Sequence, residues 1–362
     1  MWNKSKILYY FRPIFAISLT ICICLLLLEI GLRCKGHIAS NMTDGMFEKH
    51  GNSYRLKRNL IKKINWPSFS YVVYTNSFGF RAIKNEIKKA QNTPYIIFLG
   101  DSLTFANGVN YEESFVGIFS KESAKKNIDV INMAVGGHYF EDQKALFMEF
   151  VNNSQKKPSM VFLCFTPTLI RTIDENHENI IVKNGYLFEE GFWQGAYIRL
   201  LLGNISSAYC FFRDKIRKVS LKYIKNGTGN SEGILEYYNK RNQIYEHKWL
   251  MEFENRIKEF KDYCFENKIT PVLVYLPIVD SLGLNELVKK IGKNPEDYDL
   301  NYYEELLKSC SKKHNITLLN IMPIFQLYYN KGVQLRFKLD GHFSEIGNRI
   351  VGEYLIKETF NH

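Results

Sequence analysis

"YIIFLGDSLTF", Tyr95 to Phe105, sets a Gly-Asp-Ser corner directly after a short apolar run. Such a run, closed by Gly, reads as a buried strand, and the following "ANGVNYEESFVGIF" leads into a helix. Alone the triplet is a common turn, because Gly admits unusual backbone angles and Asp and Ser satisfy loose amides. Further runs, "IDVINMA", "MVFLCF", "PVLVYLP" and "ITLLNI", alternate with segments of helical period at 113–126, 139–153, 237–267, 302–313 and 344–357. Short buried strands separated by helices predict an α/β fold, a mostly parallel sheet covered on both faces. In such a sheet reactive groups gather beyond the carboxyl ends of the strands, so the residues after each run are the ones to inspect.

The chain has 362 residues, 46% hydrophobic and 15% aromatic, enough for a large core and against pervasive disorder. Its net charge is +11, of which +4 falls in the first 35 residues, where Lys4, Lys6, Arg12, Arg33 and Lys35 stand against Glu29. The rest is spread, with clusters in "YRLKRNLIKK" from Tyr54 and "FRDKIRKVSLKYIK" from Phe212. These read as solvated faces first and as attraction to anionic lipid or acidic polysaccharide second; no nucleic-acid module accompanies them. An unbroken apolar run from Pro13 to Leu28, behind "MWNKSK" and without a small-x-small cleavage site, predicts an uncleaved membrane anchor over 1–35. Cations on its N-terminal side place the rest of the chain across the membrane, as a single-pass protein of the cell membrane with an extracytoplasmic body. The seven cysteines show no Cys-x-x-Cys spacing, and buried free thiols are the expectation; no metal or cofactor is called for.

Residues 36–92 read as a linker with a short β element at "SYVVYTNSFGFR", and 93–362 as the main domain. The alternation is interrupted by an aromatic-rich interval at about 170–235, expected to form a cap over the strand ends, with Phe192, Trp193, Tyr197 and Phe211 either facing substrate or forming a satellite core.

Three places carry chemistry. After the first strand stands Gly100-Asp101-Ser102; after the second, "NMAVGGHY" with Gly136 and Gly137; near the C-terminus, "LDGHFSEIGN" sets Asp340 two residues before His342, with Ser344 able to cap the next helix. A serine hydroxyl needs a base, usually His, and a turn lets Asp340 fold back on His342 Nδ1 and leave Nε2 for Ser102. Backbone amides at Gly137 and Ser102 can approach an oxyanion without a clashing Cβ. Separately, each piece is also an ordinary turn.

Together, "FLGDSLTFANGVNYEESF", "INMAVGGHY" and "LDGHFSEIGNRIVGEYL" resemble three blocks of the SGNH, or GDSL-type, hydrolase family, in a membrane-anchored exported branch, over roughly Asn76 to Leu355 with the insertion left outside. The resemblance implies a flavodoxin-like three-layer sandwich on a mostly parallel five-stranded sheet. It also implies a catalytic Ser102, Asp340 and His342, an oxyanion site at Ser102 and Gly137, and substrate contacts at Asp101 and Asn107. One departure is that the Asn usual after the third strand is absent from "VFLCFTPTLIRT". Thr166 takes that oxyanion position, with Asn107 or nearby backbone as a substitute.

The expected function is a serine esterase removing acyl groups, O-acetyl foremost, from a glycan or related cell-envelope substrate through an acyl-enzyme. Two alternatives stand beside it, an O-acyltransferase acting on a surface polysaccharide and a catalytically weak glycan-binding accessory protein.

Overall fold

The computed structural model describes residues 4–35, 45–66, 69–84, 93–173, 175, 177, 180–189, 198, 201–203, 205–226, 235–240, 247–290, 292–338 and 340–360. In chain order the elements are α1 (Lys4–Cys34), β1 (Phe47–His50), β2 (Ser53–Leu56), β3 (Ile61–Trp66), β4 (Phe69–Thr75), β5 (Arg81–Ala82), β6 (Tyr95–Leu99), α2 (Ser102–Phe105), α3 (Phe115–Lys125), β7 (Asp129–Asn132), α4 (Phe140–Asn153), β8 (Met160–Phe165) and α5 (Pro167–Arg171). They continue with β9 (Ile180–Lys183), β10 (Tyr186–Glu189), α6 (Ser207–Asn226), α7 (His247–Glu266), β11 (Thr270–Tyr275), α8 (Leu284–Lys290), α9 (Tyr302–His314), β12 (Thr317–Asn320), α10 (Met322–Asn330) and α11 (Glu345–Phe360).

The five strands expected from the apolar runs form the parallel part of the central sheet, in the spatial order β7-β6-β8-β11-β12. Counted along the chain that order is 2-1-3-4-5, the flavodoxin-like arrangement, and it reverses between β6 and β8. Side chains alternate cleanly across it. Ile97, Leu99, Leu163, Phe165 and Leu273 enter one core with α4, α7 and α9, while Ile96, Phe98, Phe162, Cys164 and Val274 enter the other with α3, α10 and α11. Because both faces are buried, β6, β8 and β11 are largely apolar, which is why they stand out as runs.

The sheet does not stop at five strands. β5, β4 and β3 extend it antiparallel beyond β7 to eight strands, Arg81 pairing with Asn132. The β element expected at "SYVVYTNSFGFR" is β4 with β5, but 47–66, read as linker, also forms β1, β2 and β3. Their residues are mixed (FEKH, SYRL, IKKINW) and only alternate positions are buried, so no apolar run marks them.

Within the aromatic-rich interval the described parts are the β9–β10 hairpin, which packs on the β1–β2 hairpin with Phe47 N donating to Gly185 O at 3.2 Å, and α6. Phe192, Trp193 and Tyr197 lie outside the described residues; Phe211 is half-buried on α6. Glu29 near the end of α1 accepts from Ser207 N and Ala208 N, both at 2.9 Å, at the start of α6. Among the described residues, Arg12–Cys34 is the one segment long and apolar enough to cross a membrane, 23 residues of mean hydropathy 2.5. At about 1.5 Å per residue its length matches a hydrocarbon layer of about 30 Å.

Candidate active site

The switch point between β6 and β8 is where the Gly-Asp-Ser corner falls. Asp101 caps α2, its Oδ1 accepting from Leu103 N at 2.9 Å, so that Ser102 becomes the first residue of a short helix. Gly100 is required by close approach: a Cβ there would lie 2.0 Å from Thr104 Oγ1. The corner is thus tight for a local reason, and it holds the Ser102 hydroxyl at the rim of the sheet.

The C-terminal turn meets it there. His342 Nε2 is 2.9 Å from Ser102 Oγ, and His342 Nδ1 is 2.5 Å from Asp340 Oδ1, which also accepts from His342 N at 2.8 Å. The i, i+2 spacing works because Phe337 N donates to His342 O, folding the chain back, and Ser344 caps α11 by accepting from Gly347 N at 3.2 Å. Asn348, one turn into α11, accepts from Phe115 N and donates to Phe343 O, tying this turn to α3. Residues 240 positions apart in the chain are therefore set against one another by packed helices.

Gly137 borders the same two groups, with φ +85, and a Cβ there would stand 2.8 Å from Tyr54 Oη. Tyr54 Oη donates to Gly136 O at 3.2 Å, and the ring of His138 is bonded through Nε2 to Tyr54 O at 2.7 Å, so the glycine turn is braced from β2. His138 is 2% exposed, and burial pulls its pKa down to about 4 against the pull of Asp142, leaving it neutral at pH 7.

Thr166 and Asp101 pair with each other. Thr166 caps α5, accepting from Leu169 N, and donates its single proton to Asp101 Oδ2 at 2.7 Å across the switch point. In this arrangement the hydroxyl expected to serve an oxyanion is committed elsewhere, and both Asp101 oxygens are occupied within the protein. Burial raises the pKa of Asp101 above the ordinary carboxylate range, against the bonds from Thr166 and Leu103.

Asn107 does reach the site. Its Nδ2 lies 3.4 Å from His342 Nε2, and the orientation of the amide is set by Tyr71 Oη, which donates to Asn107 Oδ1 at 2.9 Å. Burial pushes the Tyr71 hydroxyl up to about 12, keeping it a donor. The loop carrying Asn107 is held by Arg81, fully buried, whose Nη1 donates to Ala106 O at 2.9 Å and Nη2 to Val109 O, with its guanidinium 4.5 Å from the Phe105 ring centre. Tyr54, Tyr71, Arg81 and His138 were not singled out from sequence. "NSFGFR" was the one stretch that pointed to Arg81, and the tyrosines carry no local signal because their partners lie more than 35 residues away.

Two cavities open on either side of Ser102 and His342, and Gly137 borders both. One, of about 290 Å³, carries the hydroxyl residues Thr166, Thr168 and Thr172 with His138, Tyr139 and Ile278. The other, of about 270 Å³, is walled by Met46, Phe47, Leu56, Ile64 and Phe105.

No family model matches the chain, and no curated protein is similar to it. Solved structures similar to it include TesA, at 11% identity and TM-score 0.40, covering 74% of this chain and 98% of that one. Axe2, an acetylxylan esterase from Geobacillus stearothermophilus, is 14% identical with TM-score 0.41, over 73% of this chain and 93% of its own. The psychrotrophic esterase EstA from Pseudoalteromonas sp. is 12% identical with TM-score 0.38, over 74% and 99%. Of these neighbours, Axe2 and EstA are named as esterases. What the site can do rests on its own distances.

Proposed function

We propose that the chain is a membrane-anchored, extracytoplasmic serine esterase that removes acyl groups from a glycan or related cell-envelope substrate. The observation that carries this reading is the unbroken line from Asp340 through His342 Nδ1 and Nε2 to Ser102 Oγ, at 2.5 and 2.9 Å.

In this reading the Ser102 proton passes to His342 Nε2 as Oγ bonds to the ester carbonyl carbon. Asp340 accepts from Nδ1–H and stabilises the imidazolium. The negative oxygen of the tetrahedral intermediate is held by the amides of Ser102 and Gly137, with Asn107 Nδ2 as the side-chain donor nearest to hand in place of Thr166. The C–O bond to the alcohol then breaks, the proton moving from Nε2 to the departing oxygen. Water, deprotonated by the same nitrogen, attacks the acyl-enzyme, and Ser102 recovers its proton as the acid leaves. If a sugar hydroxyl in the threonine-lined cavity takes the place of water, the same steps transfer the acyl group. The domain boundaries at 35 and 92 and the export of the body belong to the same proposal; the first boundary and the export rest on α1 and the cations at its N-terminal end, while across the second β3, β4 and β5 join the sheet of the following domain.

The test is labelling of the full chain by a fluorophosphonate together with p-nitrophenyl acetate hydrolysis. Both are expected in the parent and lost in Ser102→Ala. Equal hydrolysis by the two proteins, or a parent that neither labels nor hydrolyses, overturns the esterase reading and favours a binding role.

A further inference from the structure

An ester carbonyl placed over Ser102 with its oxygen toward the Ser102 and Gly137 amides has two remaining substituents, the acyl chain and the alcohol, which must leave the carbon in different directions. The site offers two cavities that share Ser102, Gly137 and His342. Their linings differ in kind. The cavity toward α5 presents the side chains of Thr166, Thr168 and Thr172 next to Leu169 and Ile278, a mixture that suits a sugar, whose edges are hydroxyl groups and whose ring faces are C–H. The cavity toward the N-terminal strands is walled by Met46, Phe47, Leu56, Ile64 and Phe105, each less than 5% exposed, and among the described residues Asn107 is its only polar side chain besides Ser102 and His342.

Resting on the esterase reading, we infer that the second cavity is the acyl-binding pocket, that β1, β2 and β3 build its far wall, and that it takes an apolar acyl chain of about four to eight carbons rather than acetyl. The size argues for the longer chain. At about 270 Å³ the space exceeds the ~150 Å³ of an apolar cavity known to stay dry and to hold benzene, and the methyl of an acetyl group leaves most of it empty. An apolar chain displaces no well-bonded water from such walls, so each methylene that enters is favourable, by roughly a fourfold gain in kcat/KM per carbon until the pocket is full.

The wall comes from a part of the chain that carries none of the catalytic residues. Met46 precedes β1, Phe47 begins it, Leu56 ends β2 and Ile64 lies in β3, and all four are buried and line the pocket while their neighbours Lys49, Arg55, Lys62 and Lys63 do not. The segment is held to the catalytic turn by the Tyr54 Oη to Gly136 O bond and by His138 Nε2 on Tyr54 O, so the wall and the oxyanion turn keep one spacing. Chain-length selection is therefore assigned to Leu56 and Ile64, and the bond chemistry to Ser102, His342 and Asp340.

The test uses the full chain in nanodiscs with p-nitrophenyl acetate, butyrate, hexanoate and octanoate. In the parent, kcat/KM rises from acetate by tenfold or more and turns over between butyrate and octanoate. Ile64→Phe, which fills the pocket, lowers the hexanoate-to-acetate ratio at least tenfold; Ile64→Ala, which lengthens it, moves the optimum to a longer chain. Rates are normalised to the fraction of protein labelled by a fluorophosphonate, so loss of folded protein does not mimic a change of preference. A second measurement needs no variant: labelling of the parent by hexyl fluorophosphonate is at least tenfold faster than by the ethyl compound. A parent that reacts with all these reagents but prefers acetate, or variants that keep the parental ratio, overturn the pocket assignment and leave the esterase reading standing. A parent that reacts with none overturns both.

Discussion

The two sides of this site differ in how their residues are held. On the parallel side, Ser102, Gly137, Asp340 and His342 sit on tight turns at strand ends, each stabilised by hydrogen bonds to residues within five positions, such as Asp101 to Leu103 N and Asp340 to His342 N. On the antiparallel side, Phe47, Leu56 and Ile64 are buried strand residues, with Met46 just before β1, and their place is set by strand pairing and core packing. The first arrangement positions reactive atoms to a few tenths of an ångström; the second provides a surface of given shape. Chemistry and selectivity thus lie in different parts of the chain, and one can change without the other. The two meet at Tyr54 and His138.

That separation can be broken at several points. The largest effect is expected on the turn side: Asp340→Asn leaves the shape of the turn but removes the charge that stabilises the imidazolium and can turn an NH2 donor toward His342 Nδ1, favouring the wrong tautomer; it should lower kcat by about 10⁴-fold with no change in chain-length preference. Stopped-flow acyl-enzyme formation from a p-nitrophenyl ester measures it, and a variant within tenfold of the parent would mean that His342 is not acting as the base.

Gly137→Ala probes the seam from the glycine side. A residue with a Cβ is strained at φ +85, and the methyl would meet Tyr54 Oη at 2.8 Å, so the turn must shift. A fall of about 10²–10³ in kcat, with KM moved far less, is the outcome if this amide serves the oxyanion. An equal rise in KM instead would place Gly137 in binding alone.

The smallest effect concerns stability. His138 has a pKa of about 4 when folded, lowered by burial, against about 6.5 free, so the unfolded chain takes up the proton first as pH falls. Its contribution to stability is complete above pH 6.5 and is lost progressively as the pH drops toward 4, by up to about 3 kcal/mol. Below that the two states carry the same charge on this group. The charged and titratable neighbours that share its surroundings are Asp142, His177 and His50, of which Asp142, held below its ordinary value by the bond from His177, adds its own loss only under the ordinary carboxylate range. Thermal unfolding from pH 7 to 4 should show a falling Tm in the parent and a flatter profile in His138→Gln; equal slopes would show that the seam is not where the acid sensitivity lies.

Most of the parallel half was legible from sequence. Strands buried on both faces must be apolar without interruption, and "YIIFL" and "MVFLCF" could be little else once Gly and Pro bounded them. The candidate reactive residues were legible because an activated serine requires particular side chains, and "GDS" supplies the hydroxyl where β6 ends and "DGH" the carboxylate and imidazole just before α11. The eight-stranded width of the sheet was not, since Ile61 to Trp66 carries two consecutive lysines and buries fully only Ile64. Nor was the use made of Thr166, whose partner Asp101 lies 65 residues earlier and gives no local sign of it.

By itself the sequence determined the order of the five parallel strands and the helices between them, the apolar N-terminal helix, and which side chains have the reactivity for acyl transfer, since periodicity and functional-group chemistry are properties of short stretches. Only the tertiary structure decided that Ser102 and His342 come within 2.9 Å, that Asn107 rather than Thr166 turns its donor toward them, and that residues 46–64 close a pocket beside them. Those are distances between residues remote in the chain, and they are set by packing of the whole core, to which every strand and helix contributes and which no single segment encodes.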